Sequence, residues 1–143
     1  MGLTGGRMKW GLLNLVLLAI TTAGCSQGNT PEAVAERFMQ AYYVQIDQGQ
    51  ALEFTGALAR ERLQQELRAV APLRRSGSVA EARPEVRYTL SRTQPEGRQV
   101  LLYYDLTITP RHVPPMLKKV LIITEQLGQQ WKVINFTEAD STR

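Results

Sequence analysis

The chain reads as an α+β domain, with N-terminal helices packed on a four-stranded antiparallel meander. Three observations lead there. Val100, Leu102, Tyr104, Leu106 and Ile108 alternate onto one face, the period of two that marks a strand. Far upstream, Val34, Phe38, Ala41, Tyr42 and Ile46 recur at helical spacing, an amphipathic stripe. All the helical patterning precedes all the strand patterning, and short turns link the strands, the order expected of an α+β fold.

The first 24 residues stand apart. Arg7 and Lys9 precede an apolar run from Trp10 to Ile20 that is broken only by Gly11 and Asn14. The run suits a secretory signal and falls short of the ~20 residues a spanning helix needs. Small residues then lead into Cys25, the chain's single cysteine. Ala23-Gly24-Cys25 resembles the lipobox of bacterial lipoproteins, with Thr22 where that family prefers leucine. The resemblance implies that residues 1–24 are a signal peptide. It implies that the Cys25 thiol carries diacylglycerol, and that acyl chains such as palmitate hold the new N-terminus on a membrane. Ser26 in place of an aspartate implies an outer-membrane address facing the periplasm. Ordinary cleavage after Ala23 and a retained apolar helix are the competing readings. Residues 25–30 make a short polar tether containing Gly28, which suits a linker.

Of 143 residues, setting 24 aside leaves 119, enough for one domain with its own core. Arg7 and Lys9 leave with the signal, so 17 basic residues become 15 against 13 acidic. A surplus of two argues against nucleic acid as an obligatory partner. One cysteine and one histidine allow no internal disulfide and no Cys/His metal centre; no metal and no cofactor is expected.

Thr30-Pro31-Glu32 opens the first helix with a cap, a proline at the first position and an acid at the positive dipole end. It is expected to span Pro31 to Gln48, with Gly49 as its stop. Ala51 to Thr55 predicts a short second helix. Ala59, Leu63, Leu67 and Val70 share one face of a third, which Pro72 should end. Glu61, Arg62, Gln64, Gln65, Glu66 and Arg68 would form its polar outer surface. Leu73 to Arg83 then reads as a loop.

Val86, Tyr88 and Leu90 alternate as the first strand, followed by a turn at Gln94-Pro95-Glu96-Gly97. The central strand comes next. Pro110 to Pro115 is a loop, because proline breaks the ladder. Leu117 to Leu127 and Gln130 to Thr137 form a hairpin about Gly128-Gln129. Alternation in the last strand would put Trp131 and Val133 on one face and Lys132, Ile134 and Phe136 on the other. Residues 139–143 should fray.

Over residues 31–138 the pattern resembles the nuclear transport factor two-like (cystatin-like) superfamily. The likeness lies in Pro31-Glu32-x-Val34 with Phe38, the Asp47-x-Gly49 break, Ala51 on a short helix, and a meander closing on Trp131-Lys132-Val133. It implies a curved, cone-like sheet wrapped around a helix. Members of that superfamily include isomerases, dehydratases, lipid carriers and scaffolds, so the fold alone assigns no activity.

An isomerase-like site would need a cavity carboxylate and a tyrosine donor. Tyr42, Tyr43 and Asp105 are the candidates, but Asp105 alternates away from the Tyr104 and Leu106 face, and no second acid is evident in the pattern. His112 with Arg111 lacks the serine or cysteine partner that nucleophilic chemistry requires. Phe38, Tyr42, Tyr104, Leu106 and Ile122 are candidate pocket residues for a lipid or another hydrophobic ligand, unless they are simply core. Arg74, Arg75, Arg83 and Arg87 are candidate contacts to an anionic surface such as lipid headgroups, unless they form a solvated face. The sequence thus predicts a lipid-anchored envelope protein, not an enzyme, with a binding or assembly role and an envelope protein as a candidate partner. The alternatives are a hydrophobic-ligand carrier and a ketosteroid-isomerase-like or dehydratase-like enzyme.

Overall fold

A computed structural model describes residues 28–75 and 83–141. The signal-like segment, Cys25 and residues 76–82 lie outside the described residues. Helix α1 (Pro31–Met39) continues into a wider π turn (Gln40–Val44) and is followed by α2 (Gln48–Glu53) and α3 (Ala57–Arg75). Strands β1 (Glu85–Glu96), β2 (Gln99–Thr109), β3 (Met116–Leu127) and β4 (Gln130–Asp140) come next. They pair in chain order, every pair antiparallel, which is the meander the sequence predicts.

The helical half starts where expected. The Thr30 hydroxyl accepts a hydrogen bond from the Ala33 N–H at 3.1 Å, with Pro31 at the first helical position. The first helix ends earlier than the sequence suggests. Ile46 takes a left-handed φ of 54°, and the Asp47 carboxylate accepts from the Gln50 N–H at 2.9 Å. That bond makes Asp47 the cap of α2, so Gly49 lies inside the second helix and does not stop the first. Nor does Pro72 end the third helix. It sits within α3, which runs on to Arg75. A proline there removes one backbone bond but leaves the last turn in place.

In the sheet half both hairpin turns have two residues, with Gly97 at φ 60° and Gly128 at φ 64°. This is the left-handed region that glycine enters without a steric penalty. The first turn falls later than expected, because β1 stays paired through Glu96 opposite Gln99. Pro95 is tolerated there because β1 is an edge strand, with no second partner among the described residues. The C-terminal tail is not frayed at residue 139. β4 runs to Asp140, and the Ser141 N–H donates to the Leu117 carbonyl at 2.9 Å.

Two register shifts re-aim side chains. One lies between Leu90 and Arg92 opposite Tyr104 and Tyr103; the other lies between Val133 and Asn135 opposite Thr124 and Ile123. The second corrects the predicted alternation. The extra residue, Ile134, returns Phe136 to the same face as Val133, and both are buried. Such bulges also bend and twist a strand.

The helices cover one sheet face. Leu102, Tyr104, Leu106, Val120, Ile122, Val133 and Phe136 meet Ala35, Phe38, Met39 and Leu63 there, each at most 1% exposed. Burying each large side chain contributes roughly 1.5–3 kcal/mol. The outer edge of β4 is also covered. Val133 N–H donates to Phe54 O, and Gly56 N–H donates to Val133 O, both at 2.9 Å. No helix among the described residues is long and apolar enough to cross a membrane.

Candidate functional site

The wider turn that ends the first helix brings two adjacent tyrosines to two different acids. Gln45 N–H bonds back to Gln40 O at 2.9 Å, five residues away, a spacing that often accompanies functional positions. The Tyr42 hydroxyl donates to Glu66 of α3 at 2.9 Å, and the Tyr43 hydroxyl donates to Glu138 of β4 at 3.3 Å. Arg62 pairs with Glu66 at 3.1 Å, donates to the Phe136 carbonyl at 3.0 Å and lies 4.2 Å above the Phe136 ring. Lys118 pairs with Glu138 at 3.2 Å. Burial first, then the neighbouring carboxylate, pushes both tyrosine pKa values well above the usual phenol value. Each hydroxyl therefore remains a proton donor, and each carboxylate is held between a phenol and a cation.

The sequence reading missed both acids. It assigned Glu66 to the polar outer surface of the third helix, and it placed Glu138 next to a tail expected to fray. Glu66 lies seven residues after Ala59 and three after Leu63, on the margin of the apolar stripe, which was the one available signal. Glu138 had none. Asp105 does point away from the helices, as its alternation predicts, and it pairs with Lys119 of β3. It does not approach Tyr42 or Tyr43. His112 lies in the exposed loop between β2 and β3, at a left-handed φ of 64°.

The candidate pocket residues Phe38, Tyr104, Leu106 and Ile122 meet in the core, with Tyr42 packed against them. Phe38 stacks on Tyr42 at a centroid distance of 5.4 Å and tilts against Phe136 at 4.9 Å. These rings fill the space between helix and sheet. An open groove of about 480 Å³ lies on the opposite side of the sheet, where Arg92, Tyr103, Lys119, Leu121, Thr137 and Ala139 line it. The Arg92 guanidinium sits 3.9 Å above the Tyr103 ring. Around the groove, Leu101, Ile123 and Ile134 are only partly buried.

The candidate anionic-surface arginines fall on two elements. Arg83 and Arg87 are exposed at the start of β1, and Arg87 is neutralised by Glu85 at 2.6 Å. Arg74 and Arg75 fall in the last turn of α3, with side chains outside the described residues.

No protein-family model matches the chain, and no curated protein matches it. Among solved structures, it is similar to a protein from Thiobacillus denitrificans provisionally assigned as a calcium/calmodulin-dependent protein kinase type II association domain. The two share 16% identity, and the match covers 80% of this chain and 97% of that one at a TM-score of 0.55. That likeness shows the fold: helices followed by a four-stranded antiparallel sheet.

Proposed function

We propose that this chain is a lipid-anchored protein of the bacterial envelope whose domain assembles with a protein partner through the outer face of its sheet. The observation that carries the reading is that face itself. Leu101, Tyr103, Leu121, Ile123 and Ile134 are only partly buried at or beside the groove, and the helices pack on the other face, against Leu102, Tyr104 and Ile122. Contiguous apolar surface rimmed by charge is typical of protein interaction sites, and here Arg92, Lys119 and Asp105 supply the rim. The similar solved structure is described as an association domain, which is in keeping with assembly. The phenol–carboxylate cluster fits the same reading. Both acids are engaged by a cation and a phenol, which ties the helices to one another and to the sheet.

The anchor rests on Ala23-Gly24-Cys25. Two or more acyl chains hold a protein stably on a membrane at ~0.8 kcal/mol per buried methylene. Cys25→Ser should release the protein from membranes. A photo-cross-linking side chain placed at Tyr103 or Leu121 in living cells should capture a partner, whereas one at Arg60 on α3 should not. The adduct mass would separate a second copy from another envelope protein. Equal capture from Arg60, or none from Tyr103 and Leu121, would sink the assembly reading.

A further inference from the structure

The start of the described chain is fastened to one end of the sheet. The Asn29 side chain donates to the Gln129 carbonyl at 2.7 Å and accepts from the Trp131 N–H at 2.9 Å. The Arg37 guanidinium donates to the Gly28 carbonyl. Asn29 is thus pinned beside the β3–β4 turn. The β1–β2 turn lies at the same end, since Gln99 pairs with Glu125 and a groove lined by Gly97, Arg98, Gln126, Gly128 and Trp131 joins the two turns. Only Ser26, Gln27 and Gly28 separate Asn29 from Cys25. Fully extended, four residue steps reach about 14 Å. The opposite end of the sheet, with Arg83 and the His112 loop, lies roughly 35 Å away along an 11-residue strand.

We infer that the domain stands on its membrane by this two-turn end, with Trp131, Leu127 and Arg98 at the lipid headgroups. The inference rests on the anchor at Cys25 proposed above and adds the orientation and the contact surface. The pinned tether supplies the first argument, because a lipidated Cys25 would hold Asn29 within about 14 Å of the bilayer surface. The residues at that end supply the second. Leu127 is 41% exposed, Trp131 is half-buried beside the turn, and the Arg98 side chain, paired with Glu125 at 3.6 Å, is 83% exposed. Tryptophan settles at headgroup depth, and a long arginine side chain reaches headgroups while its stem lies on apolar surface. Arg83 and Arg87 would face away from the membrane. The outer sheet face would stand upright, open to a partner alongside.

Trp131 is the only tryptophan from Cys25 onward, because the other, Trp10, precedes it. The test uses processed full-length protein in vesicles of phosphatidylethanolamine and phosphatidylglycerol. Some vesicles carry headgroup nitroxide and others carry mid-chain bromine. Headgroup nitroxide should remove most of the Trp131 emission and bromine should remove less, while a fluorophore attached at Val113→Cys should be unaffected. Inserting a long Gly/Ser stretch between Gln27 and Gly28 should relieve the quenching. Unquenched Trp131 in a lipidated, vesicle-bound chain overturns the orientation alone. Equal quenching of the Val113 probe, or quenching unchanged by the insertion, does the same. An unmodified Cys25 in the mass of the N-terminal peptide overturns the anchor and the orientation together.

Discussion

Three pairs of identical neighbours divide the sheet into two faces. In Leu101-Leu102, Tyr103-Tyr104 and Ile122-Ile123, one member of each pair is at most 1% exposed and the other is only partly buried. The residue types are the same, as are the strands. What differs is cover: the first helix lies over Leu102, Tyr104 and Ile122, and no described helix lies over Leu101, Tyr103 and Ile123. Apolar character therefore does not decide which face becomes the core. The helices decide it, and the face they leave bare remains available for contact.

The sharpest way to break that contrast is to truncate one isoleucine at a time. Ile122→Ala should cost ~2–5 kcal/mol, the range for emptying a packed site. Ile123→Ala should stay below ~1 kcal/mol, as for a partly solvated position. Denaturant midpoints of the two variants measure the gap, and equal losses would mean that the outer face is as tightly packed as the inner.

The covered side also holds the tyrosines that alkali should find. The pKa values of Tyr42, Tyr43, Tyr88 and Tyr104 are all raised from the ordinary value of 10.0, chiefly by burial. Above pH 10 the unfolded chain sheds phenolic protons that the folded chain keeps. Stability should thus be level below pH 10 on this account and fall as the pH climbs past it. Thermal unfolding followed across that range would show the decline. A double Tyr42→Phe, Tyr43→Phe variant should show a shallower one.

Tyr43→Phe alone, at neutral pH, should cost about 1–2 kcal/mol. It removes a donor to Glu138 while leaving the ring in place, and urea denaturation would measure the loss. The smallest effect on stability belongs to the bare face. Leu121→Ser should shift unfolding by less than ~1 kcal/mol yet abolish cross-linked adducts from Tyr103. Intact capture in that variant would separate the groove from the contact surface.

The readable parts of the sequence were those set by near neighbours. Thr30-Pro31 announced a helix start because a cap and a proline act within one turn. Gly128-Gln129 announced a hairpin because a left-handed glycine is a local requirement. The failures were competitions between local signals or matters of distance. Gly49 looked like a helix stop until the Asp47 cap claimed it for the next helix. Phe136 looked outward-facing until the extra residue at Ile134 shifted the register.

The sequence by itself determined the helices, the four strands, their order and their alternating apolar rows, because helical and strand periods are written in residues a few positions apart. Only the tertiary structure decided which row was covered. It also joined Tyr42 to Glu66, Tyr43 to Glu138, and Asn29 to the turn beside Trp131. Those partners are 24, 95 and about 100 residues apart, and no local rule encodes a hydrogen bond across such a separation. It forms because packing the helices on the sheet brings its two ends together.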